Sequence, residues 1–379
     1  MSTEERSDGD CYLGVMSGTS LDAVDVGLFR FTDTSCLLLA KHSLPIPADI
    51  RQEAIALATP GPDELNRLHR LDIDHAELIA TAVNQLLAQC GIDRTRIRAI
   101  GSHGQTLRHS PGGDHAFTCQ VGDPNRIAYL TGLVTVADFR RKDMVAGGEG
   151  APLAPAFHHW LFSHPTEYRM VLNLGGIANL TVLPPTQHPA AVVGFDTGPG
   201  NALLDGWCQR HLGQPYDHRG NWSRSGSCHE PLLRALLDDA FFQATPPKST
   251  GRERFNLNWL SQRLRDFAHC APVDVQATLL ELTARSVAQA IDRWGCGTEL
   301  YLCGGGVENR ALVDRLQAAL PGRRIHSTEL LGLPPQWVEA ATFAWLARQR
   351  LLGRPGNLPS VTGARRPVMP PRTPNAFAS

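Results

Sequence analysis

Short apolar runs separated by glycine-containing turns recur along the chain and predict strand-turn units. Three such units occupy residues 12–29, 170–183 and 300–320. The first is a hairpin closed by Ser-Gly-Thr-Ser, the second turns at Gly175–Gly176, and the third leads through Gly304–Gly306 into a helical pattern. Loops rich in backbone N–H groups suit a phosphate, so together the turns favour a nucleotide site. Each turn taken alone is also compatible with a plain tight turn.

The two commonest nucleotide-binding motifs do not occur in this sequence. It contains neither Gly-Lys-Ser/Thr, which a P-loop needs, nor the Gly-x-Gly-x-x-Gly of a Rossmann site. Asp22 and Asp25, on the returning side of the first hairpin, are candidates to hold Mg²⁺ directly or through its waters, because this ion takes only one or two carboxylates. The P-loop and Rossmann routes to a nucleotide are therefore both unsupported by the sequence.

The stretch 194–201, Gly-Phe-Asp-Thr-Gly-Pro-Gly-Asn, carries the candidate chemistry. Three glycines and a proline do not continue a strand or helix, so we expect Asp196 to be exposed on a sharp turn. Asn201 is expected to cap the helix that follows. Such a carboxylate suits proton abstraction, whereas the structural alternative is an ordinary Asp/Gly turn. The aspartic-protease interpretation is excluded, because no second Asp-Thr-Gly or Asp-Ser-Gly occurs.

Composition narrows the class of protein. With 42% hydrophobic and 19% charged residues and a net charge of -1, the chain is typical of a globular protein without an electrostatic footprint for nucleic acid or acidic membranes. Its 379 residues suggest about two domains. No apolar run approaches the ~20 residues of a membrane span, and residues 1–10 lack the apolar core of a signal peptide. We therefore expect a cytoplasmic protein.

Cysteine and histidine usage does not predict a dedicated metal site. Nine cysteines lie scattered without a Cys-x-x-Cys pair, and fifteen histidines show no His-Glu-x-x-His. The cysteines are expected to be reduced, mostly buried side chains.

Several longer motifs are similar to those of the anhydro-N-acetylmuramic acid kinase family. They are Met16-Ser-Gly-Thr-Ser-Leu-Asp22, Ser102-His-Gly-Gln-Thr106, Asp138-Phe-Arg-Arg141, Asn173-Leu-Gly-Gly-Ile-Ala-Asn179, the stretch around Asp196, Lys248-Ser-Thr-Gly-Arg-Glu253 and Cys303-Gly-Gly-Gly306. The resemblance runs in unbroken order from about Tyr12 to Gly363. It implies an α/β, two-domain actin/hexokinase/Hsp70-like (ASKHA) fold, with ATP and substrate in an interdomain cleft.

The resemblance also implies a reaction. Water would open the 1,6-anhydro bridge of 1,6-anhydro-N-acetylmuramic acid, and ATP would phosphorylate O6, giving N-acetylmuramic acid 6-phosphate and ADP in peptidoglycan recycling. Asp196 matches the general base of the family, and Glu339 is the acidic residue expected to assist it, although a surface or capping carboxylate is the alternative. ATP and Mg²⁺ are the expected cofactors, and the family is dimeric.

The ATP-binding residues implied by the resemblance come from three loops. They are Gly18, Thr19, Ser20, Leu21, Asp22, Ala23, Val24 and Asp25 in the first loop; Gly175, Gly176 and Asn179 in the second; and Gly304, Gly305 and Gly306 in the third. The first two are expected to face phosphates, and the third to let adenosine approach the backbone. Ala23 replaces a usual glycine, which matters only if this position needs a positive φ.

The sugar-binding residues implied by the resemblance are His103, Gln105, Asp138, Arg140 and Asp196. A planar guanidinium fits the lactyl carboxylate of a muramic sugar, but Arg141 and Lys142 are equally available. His103 is either a hydrogen-bond partner of a sugar hydroxyl or a satisfied structural histidine. Glu149 replaces a usual glutamine and cannot donate as an amide can, which puts a direct contact from this position in doubt.

We predict a tail over 1–11, an N-terminal domain over 12–138, a C-terminal domain over 139–363 and a Pro-rich tail over 364–379. The basic loop 248–254 is either a solvated connection or a hinge or phosphate-facing loop.

Two other functions stay in view. A regulatory ATPase of the same fold would need no sugar-facing base, and a glycoside hydrolase would need a second carboxylate but no ATP.

Overall fold

The computed structural model describes residues 10–18, 21–251 and 253–371, which form two compact units. The first unit combines the chain up to Leu161 with the chain from Trp337 onward, and the second runs from Phe162 to Gln336. This division differs from the predicted boundary near Asp138. The segment that follows Asp138 stays with the first unit, because the end of the chain returns to bind it.

Each unit contains one five-stranded sheet, and the first also holds a two-stranded ribbon. The strands of the first unit are β1 (Asp10–Ser17), β2 (Ala23–Phe31), β3 (Cys36–Pro45), β4 (Ile97–Ser102), β5 (Gln105–Ser110), β6 (Phe117–Val121) and β7 (Thr135–Val136). The strands of the second unit are β8 (Arg169–Leu174), β9 (Ile177–Leu183), β10 (Val193–Pro199), β11 (Glu299–Cys303) and β12 (Arg324–Ser327).

The two sheets have the same strand order and the same strand directions. The first is ordered β3-β2-β1-β4-β7 and the second β10-β9-β8-β11-β12. In each, three consecutive strands form an antiparallel meander, and two later strands extend the sheet in parallel from the first strand of that meander. This repeated topology confirms the predicted actin/hexokinase/Hsp70-like class of two related α/β domains.

The helices lie in the connections between strands and, for the last two, after the final strand β12. They are α1 (Ala48–Leu57), α2 (Glu64–Cys90), α3 (Pro124–Thr131), α4 (Phe139–Val145), α5 (Ala154–Phe162), α6 (Ala202–Leu212), α7 (Asn221–Ser225), α8 (Glu230–Leu237), α9 (Ala240–Gln243), α10 (Leu257–Arg263), α11 (Pro272–Trp294), α12 (Arg310–Ala319), α13 (Val338–Leu351) and α14 (Pro359–Thr362). Short 3₁₀ turns cover Arg94–Arg96, His218–Gly220, Leu264–Phe267, Gly305–Glu308, Thr328–Leu331 and Pro335–Trp337. The helices predicted after Asn201 and after Gly306 are confirmed as α6 and α12.

The three predicted strand-turn units are also confirmed. β1 pairs with β2 and β8 with β9 as antiparallel hairpins, and β11 leads through a glycine turn to α12. Their apolar residues lie in two separate cores. Leu13, Val26 and Ile100 belong to the core of the first unit, whereas Leu172 and Leu180 belong to that of the second. Each core is built from one sheet and the helices that pack against it.

Helix α13 lies unusually close to the first sheet. A Cβ atom at Gly101 in β4 would lie 2.5 Å from the carbonyl carbon of Phe343, and one at Gly14 in β1 would lie 2.7 Å from that of Ala340. Both distances are shorter than any tolerable Cβ contact. The absence of side chains at these two strand positions therefore allows the helix backbone to rest directly on the sheet.

The predicted tails are shorter than expected. Asp10 and Cys11 already belong to β1, so the N-terminal prediction is wrong at these two residues. Residues 364–371 pack on the first unit: Ala364 is buried, and the backbone N–H of Arg365 donates to the carbonyl of Ala146 over 2.8 Å. Residues 1–9 and 372–379 lie outside the described part of the chain.

No helix in the described ranges 10–18, 21–251 and 253–371 is both long enough and apolar enough to cross a bilayer.

Candidate active site

Asp196 lies inside strand β10 rather than on an exposed turn. β10 continues to Pro199, and Asp196 is only 8% exposed. The strand contains a β-bulge at these glycines: its pairing register with β9 shifts between Asp196 and Gly198, and Gly198 has a φ of +150°. The expectation of an exposed turn is thus wrong: a bulge re-aims the chain without ending the strand.

The carboxylate of Asp196 is held by the loop that contains Lys248 and Thr250. The backbone N–H of Thr250 donates to Oδ2 of Asp196 over 2.8 Å, and the backbone N–H of Asp196 donates to the carbonyl of Lys248 over 3.2 Å. A charge-assisted bond to a backbone N–H fixes the orientation of a carboxylate. The basic loop is therefore hydrogen-bonded to both the carboxylate and the backbone N–H of the candidate base. This contact favours a functional role for the loop over a solvated connection.

Lys248 brings a positive charge close to Asp196. Its Nζ donates to the carbonyl of Phe241 over 3.0 Å and lies 4.5 Å from the centre of the Phe241 ring. Burial, together with the charge of Arg293, lowers the pKa of Lys248 from 10.5 to about 8, although the negative charge of Asp196 partly opposes this shift. Lys248 is thus a partly desolvated cation beside the candidate base.

We expect Lys248→Met to stabilise the protein near neutral pH. Between about pH 8 and 10.5 the unfolded chain keeps the lysine proton that the folded chain has lost, so wild-type stability rises with pH across this window. The unfavourable burial of the charge is therefore fully present below pH 8, and the melting temperature of Lys248→Met should exceed that of wild type most clearly there. Melting curves at neutral and alkaline pH would measure the difference, which should shrink as pH rises.

The exposed Lys41 provides the matched control, since no comparable benefit is expected from Lys41→Met. A difference between the Lys248→Met and wild-type melting temperatures that does not change with pH would contradict the lowered pKa of Lys248. The chain has three lysines, at 41, 142 and 248, so the NMR resonances of their ammonium groups can be assigned by substitution.

Asparagines from two neighbouring strands stand beside Asp196. Asp196 pairs with Asn179 of β9, and Asn179 pairs with Asn173 of β8. Directly opposed residues of antiparallel strands project from the same face of a sheet, so the three polar side chains form one row. Sequence reasoning selected Asn179 but not Asn173 as a site residue; both lie three positions from Gly176, and this symmetry is the signal that could have identified Asn173.

The residues just before helix α6 are hydrogen-bonded to the carbonyl groups of the second glycine turn. The backbone N–H of Asn201 donates to the carbonyl of Gly175 over 2.9 Å, and that of Gly200 donates to the carbonyl of Gly176 over 2.9 Å. The side chain of Asn201 donates to the carbonyls of Leu174 and Gly175, and does not cap α6. The predicted cap is therefore wrong, because Asn201 instead ties the helix to the turn.

The third glycine turn lies next to the same structure. Gly304 has a φ of +83°, and a Cβ atom there would lie 2.9 Å from the carbonyl carbon and oxygen of Leu174. A Cβ atom at Gly306 would lie 2.7 Å from the Leu174 side chain, whereas one at Gly305 would meet open space among the described residues. Gly304 and Gly306 are thus required by the fold itself, and Gly305 is the position where a ligand can approach.

A cavity of about 480 Å³ adjoins this third turn. It is lined by Arg219, Asn221, Arg224, Val307, Arg310, Val313 and Asp314. Its size falls in the range of small-molecule sites. Sequence reasoning missed it, because the arginines come from two stretches far apart in sequence and follow no motif. Arg224 is paired with Asp314.

The first loop of the first unit carries two carboxylates. Asp22 is exposed and lies 3.5 Å from Arg51, whereas Asp25 accepts a 2.5 Å hydrogen bond from Ser43. Burial raises the pKa of Asp25, and the negative charge of Asp22 adds to this rise despite the hydrogen bond from Ser43. The two groups therefore lie close enough to repel each other.

The other candidates in this loop differ in exposure. Leu21, with a φ of +57°, and Val24 are buried in the core, so only their backbone can face a ligand. Gly18 is half-buried, while Thr19 and Ser20 lie outside the described residues. Ala23 is not among the described non-glycine residues with a positive φ, so the replacement of glycine is tolerated.

His103 and Arg140 form a pair in the first unit. Nε and Nη2 of Arg140 donate to Nε2 of His103 over 3.2 and 2.9 Å, so the proton of the neutral ring lies on Nδ1, which donates to the carbonyl of Gly104 over 2.8 Å. Burial, and then the charge of Arg140, lower the pKa of His103 well below its usual value. Both ring nitrogens are engaged within the protein, which favours the structural alternative for His103.

The remaining sugar-site candidates lie in the same unit. Gln105 is buried and accepts a 2.6 Å hydrogen bond from Ser17. Asp138 has a φ of +59° and pairs with Arg141 over 2.7 Å, so Arg141 is engaged on the outer side of α4. Glu339 is half-buried in the first turn of α13.

The structure brings together three possible metal ligands that the sequence did not reveal. Ligand atoms of His229, His269 and Cys270 lie within 4.8 Å of one another. However, Nδ1 of His229 accepts a hydrogen bond from the backbone N–H of Leu232 over 3.2 Å, which leaves its ring proton on Nε2. Binding a metal would displace either this helix cap or that proton, so we assign no metal to the cluster.

Comparisons with known proteins place this geometry in context. The model of a family described as anhydro-N-acetylmuramic acid kinase matches residues 10–370. The chain is 50% identical over 356 residues to the anhydro-N-acetylmuramic acid kinase of Coxiella burnetii (strain RSA 493 / Nine Mile phase I), covering 94% of this chain and 95% of that protein. It is also 50% identical over 355 residues to that of Shewanella loihica (strain ATCC BAA-1088 / PV-4), covering 94% and 96%.

Two solved structures are more distantly similar. An activator of 2-hydroxyisocaproyl-CoA dehydratase from Clostridium difficile, with bound ADPNP, has a TM-score of 0.45 and 12% identity over 88% of this chain and 92% of that chain. A ROK family glucokinase from Streptomyces griseus has a TM-score of 0.40 and 13% identity over 89% and 99%.

Proposed function

The chain belongs to the anhydro-N-acetylmuramic acid kinase family, and we propose on this basis that it opens and phosphorylates 1,6-anhydro-N-acetylmuramic acid with ATP. The products are N-acetylmuramic acid 6-phosphate and ADP, and the pathway is peptidoglycan recycling. The observation that carries the proposal is Asp196, a buried carboxylate oriented by the N–H of Thr250 within a family match spanning residues 10–370.

Asp196 is the proposed general base. It accepts a proton from water while the water oxygen attacks the anomeric carbon and the bond from that carbon to O6 breaks. The released O6 accepts the γ-phosphoryl group of ATP, and ADP leaves. Thr250 holds Oδ2 of Asp196, while Asn179 and Asn173 provide polar groups on the same face of the sheet. Glu339 is proposed to assist by binding the sugar or water.

The nucleotide is proposed to use the glycine turns. Gly175, Gly176 and the first loop face the phosphates, and Gly305 faces the adenosine. The cavity beside Gly305 supports this placement, because a guanidinium plane such as that of Arg219 or Arg310 stacks on an aromatic base. These assignments extend the sequence-based predictions to residues that no motif indicated.

The first loop is the proposed site of Mg²⁺. Asp22 and Asp25 repel each other, and the raised pKa of Asp25 reflects a carboxylate that burial and a neighbouring negative charge disfavour. A bound divalent cation would relieve that repulsion and neutralise charge on the phosphates of ATP. We propose these two residues as its holders, directly or through water.

Sugar-dependent ADP release is the direct test of this function. Purified protein with Mg²⁺ and ATP should release ADP only when 1,6-anhydro-N-acetylmuramic acid is present, with one phosphorylated sugar formed for each ADP. Sugar-independent ADP release would instead support a regulatory ATPase, and ring opening without ATP would support a glycoside hydrolase. A cytoplasmic location and a homodimer also stay proposals, which fractionation and light scattering would check.

We expect Gly305→Ala to weaken ATP binding and Gly304→Ala to lower the stability of the protein. A methyl group at Gly305 meets open space in the protein, so stability should be unchanged while the KM for ATP rises about tenfold through its overlap with adenosine. A methyl group at Gly304 meets the Leu174 backbone at a positive φ, so stability should fall by about 2 kcal/mol. Urea unfolding and initial-rate kinetics measure the two effects. Unchanged ATP kinetics in Gly305→Ala would remove adenosine from this turn.

A further inference from the structure

Asp143, a residue that the proposed reaction does not use, is a buried carboxylate at the end of α4. It is 1% exposed. Oδ2 accepts a hydrogen bond from the backbone N–H of Gly150 over 2.8 Å, and Oδ1 accepts from Nδ2 of Asn357 over 2.5 Å and Oγ1 of Thr362 over 2.7 Å. A buried carboxylate with three donors is a strong and specific cross-link.

Asp143 joins the loop after α4 to the last described segment of the chain. Two backbone bonds run parallel to it: the N–H of Glu149 donates to the carbonyl of Thr362, and the N–H of Arg365 donates to that of Ala146, each over 2.8 Å. A Cβ atom at Gly148 would lie 2.8 Å from Cγ of Asp143, so the loop is shaped around this carboxylate. The C-terminal segment therefore determines where residues 146–150 lie.

The same loop holds Arg140. The carbonyl of Gly150 accepts a hydrogen bond from Nη1 of Arg140 over 3.0 Å, and the rest of the guanidinium donates to His103. Gly150 thus receives Arg140 on its carbonyl and gives its N–H to Asp143. The contacts form a continuous chain from Thr362 through Asp143 and Gly150 to Arg140 and His103.

We propose that Asp143, fastened by Asn357 and Thr362, is a positioning residue that sets the guanidinium of Arg140 for recognition of the substrate carboxylate. This inference rests on the proposed function for its substrate but on the contacts above for its geometry. Asn357 and Thr362, together with Arg365 of the predicted tail, accordingly contribute to sugar recognition through the loop that they bind.

Asp143→Asn tests the inference, because asparagine has the same shape but turns one acceptor oxygen into a donor that faces other donors. We expect the KM for the anhydro sugar to rise about tenfold or more, with the KM for ATP and kcat nearly unchanged. Preference for 1,6-anhydro-N-acetylmuramic acid over 1,6-anhydro-N-acetylglucosamine, which lacks the carboxylate, should fall. Adding Asp143→Asn to Arg140→Lys should raise the KM for the sugar only slightly further, since Asp143 acts through the Arg140 guanidinium, which this variant already lacks.

A spectroscopic measurement keeps the test independent of activity. The ¹⁵N resonance of His103 Nε2 reports on the donors from Arg140, so it should shift in Asp143→Asn and stay unchanged in the control Asp74→Asn, an exposed residue of α2. If Asp143→Asn does not fold, Thr362→Val is the substitute, because it removes one donor and should cause a smaller shift of the His103 resonance. Thr362→Ser keeps the hydroxyl group and should show the wild-type resonance.

The outcomes separate the two proposals. A wild-type protein without sugar-dependent ADP release would overturn the proposed function, while the His103 resonance would still decide the geometry of Arg140. An active wild type whose Asp143→Asn variant keeps its sugar KM, or loses affinity for ATP and sugar equally, would overturn the positioning role. An unshifted His103 resonance would do the same.

Discussion

Asp196→Asn should lower kcat by about 10³-fold, the central range for removal of a general base. Asparagine matches the size of aspartate and can still accept the hydrogen bond from the N–H of Thr250, but it cannot take a proton from water. The loss should therefore appear in turnover, while the affinity for ATP is retained. Sugar-dependent ADP release and calorimetric titration with nucleotide measure the two quantities.

Asp292→Asn is the matched control, because Asp292 is exposed on α11 in the same unit. Its kinetics should equal those of wild type. If Asp196→Asn turned over sugar at the wild-type rate, Asp196 would not be the base; if it lost nucleotide affinity to the same degree as kcat, its effect would be structural rather than chemical.

Gly101→Ala should produce the largest loss of stability, about 3 kcal/mol or more. The added methyl group would lie 2.5 Å from the carbonyl carbon of Phe343 and overlap its oxygen, and both atoms belong to the backbone of α13. A helix backbone cannot rotate away as a flexible side chain can. The helix must lift from β1 and β4, which also removes the close approach at Gly14 and Ala340.

Gly112→Ala serves as the comparison, since a methyl group there meets no described atom within 4 Å and the residue lacks a positive φ. Urea unfolding of both variants, followed by circular dichroism, should show a lower midpoint only for Gly101→Ala. Equal midpoints would show that α13 does not rest on the sheet as closely as described.

Local patterns were enough to predict the strands, helices and turns that surround the candidate site. Alternating and helical spacing identified the hairpin of β1 and β2, the hairpin around Gly175–Gly176 and the helix α12 after the third glycine turn. These predictions succeeded because residues close in sequence determine a turn or an amphipathic face. The repeated sheet topology followed from the family resemblance and not from periodicity.

Asp196 shows where local patterns fail. Three glycines and a proline indicate a turn, yet β9 on one side and the loop from Lys248 to Thr250 on the other keep the chain extended through a bulge. Thr250 lies 54 residues away in sequence. The burial and orientation of the carboxylate therefore depend on partners that its own neighbours do not reveal.

The sequence by itself determined the local elements, the glycine positions and the candidate base, because each depends on residues only a few positions apart. Only the tertiary structure decided the proton position on His103, the cross-link of Asp143 to Thr362 and the return of the chain end to the first unit. Asp143 and Thr362 are 219 residues apart. Hydrogen bonds across such separations form only when the fold brings donor and acceptor together, so no short-range pattern encodes them.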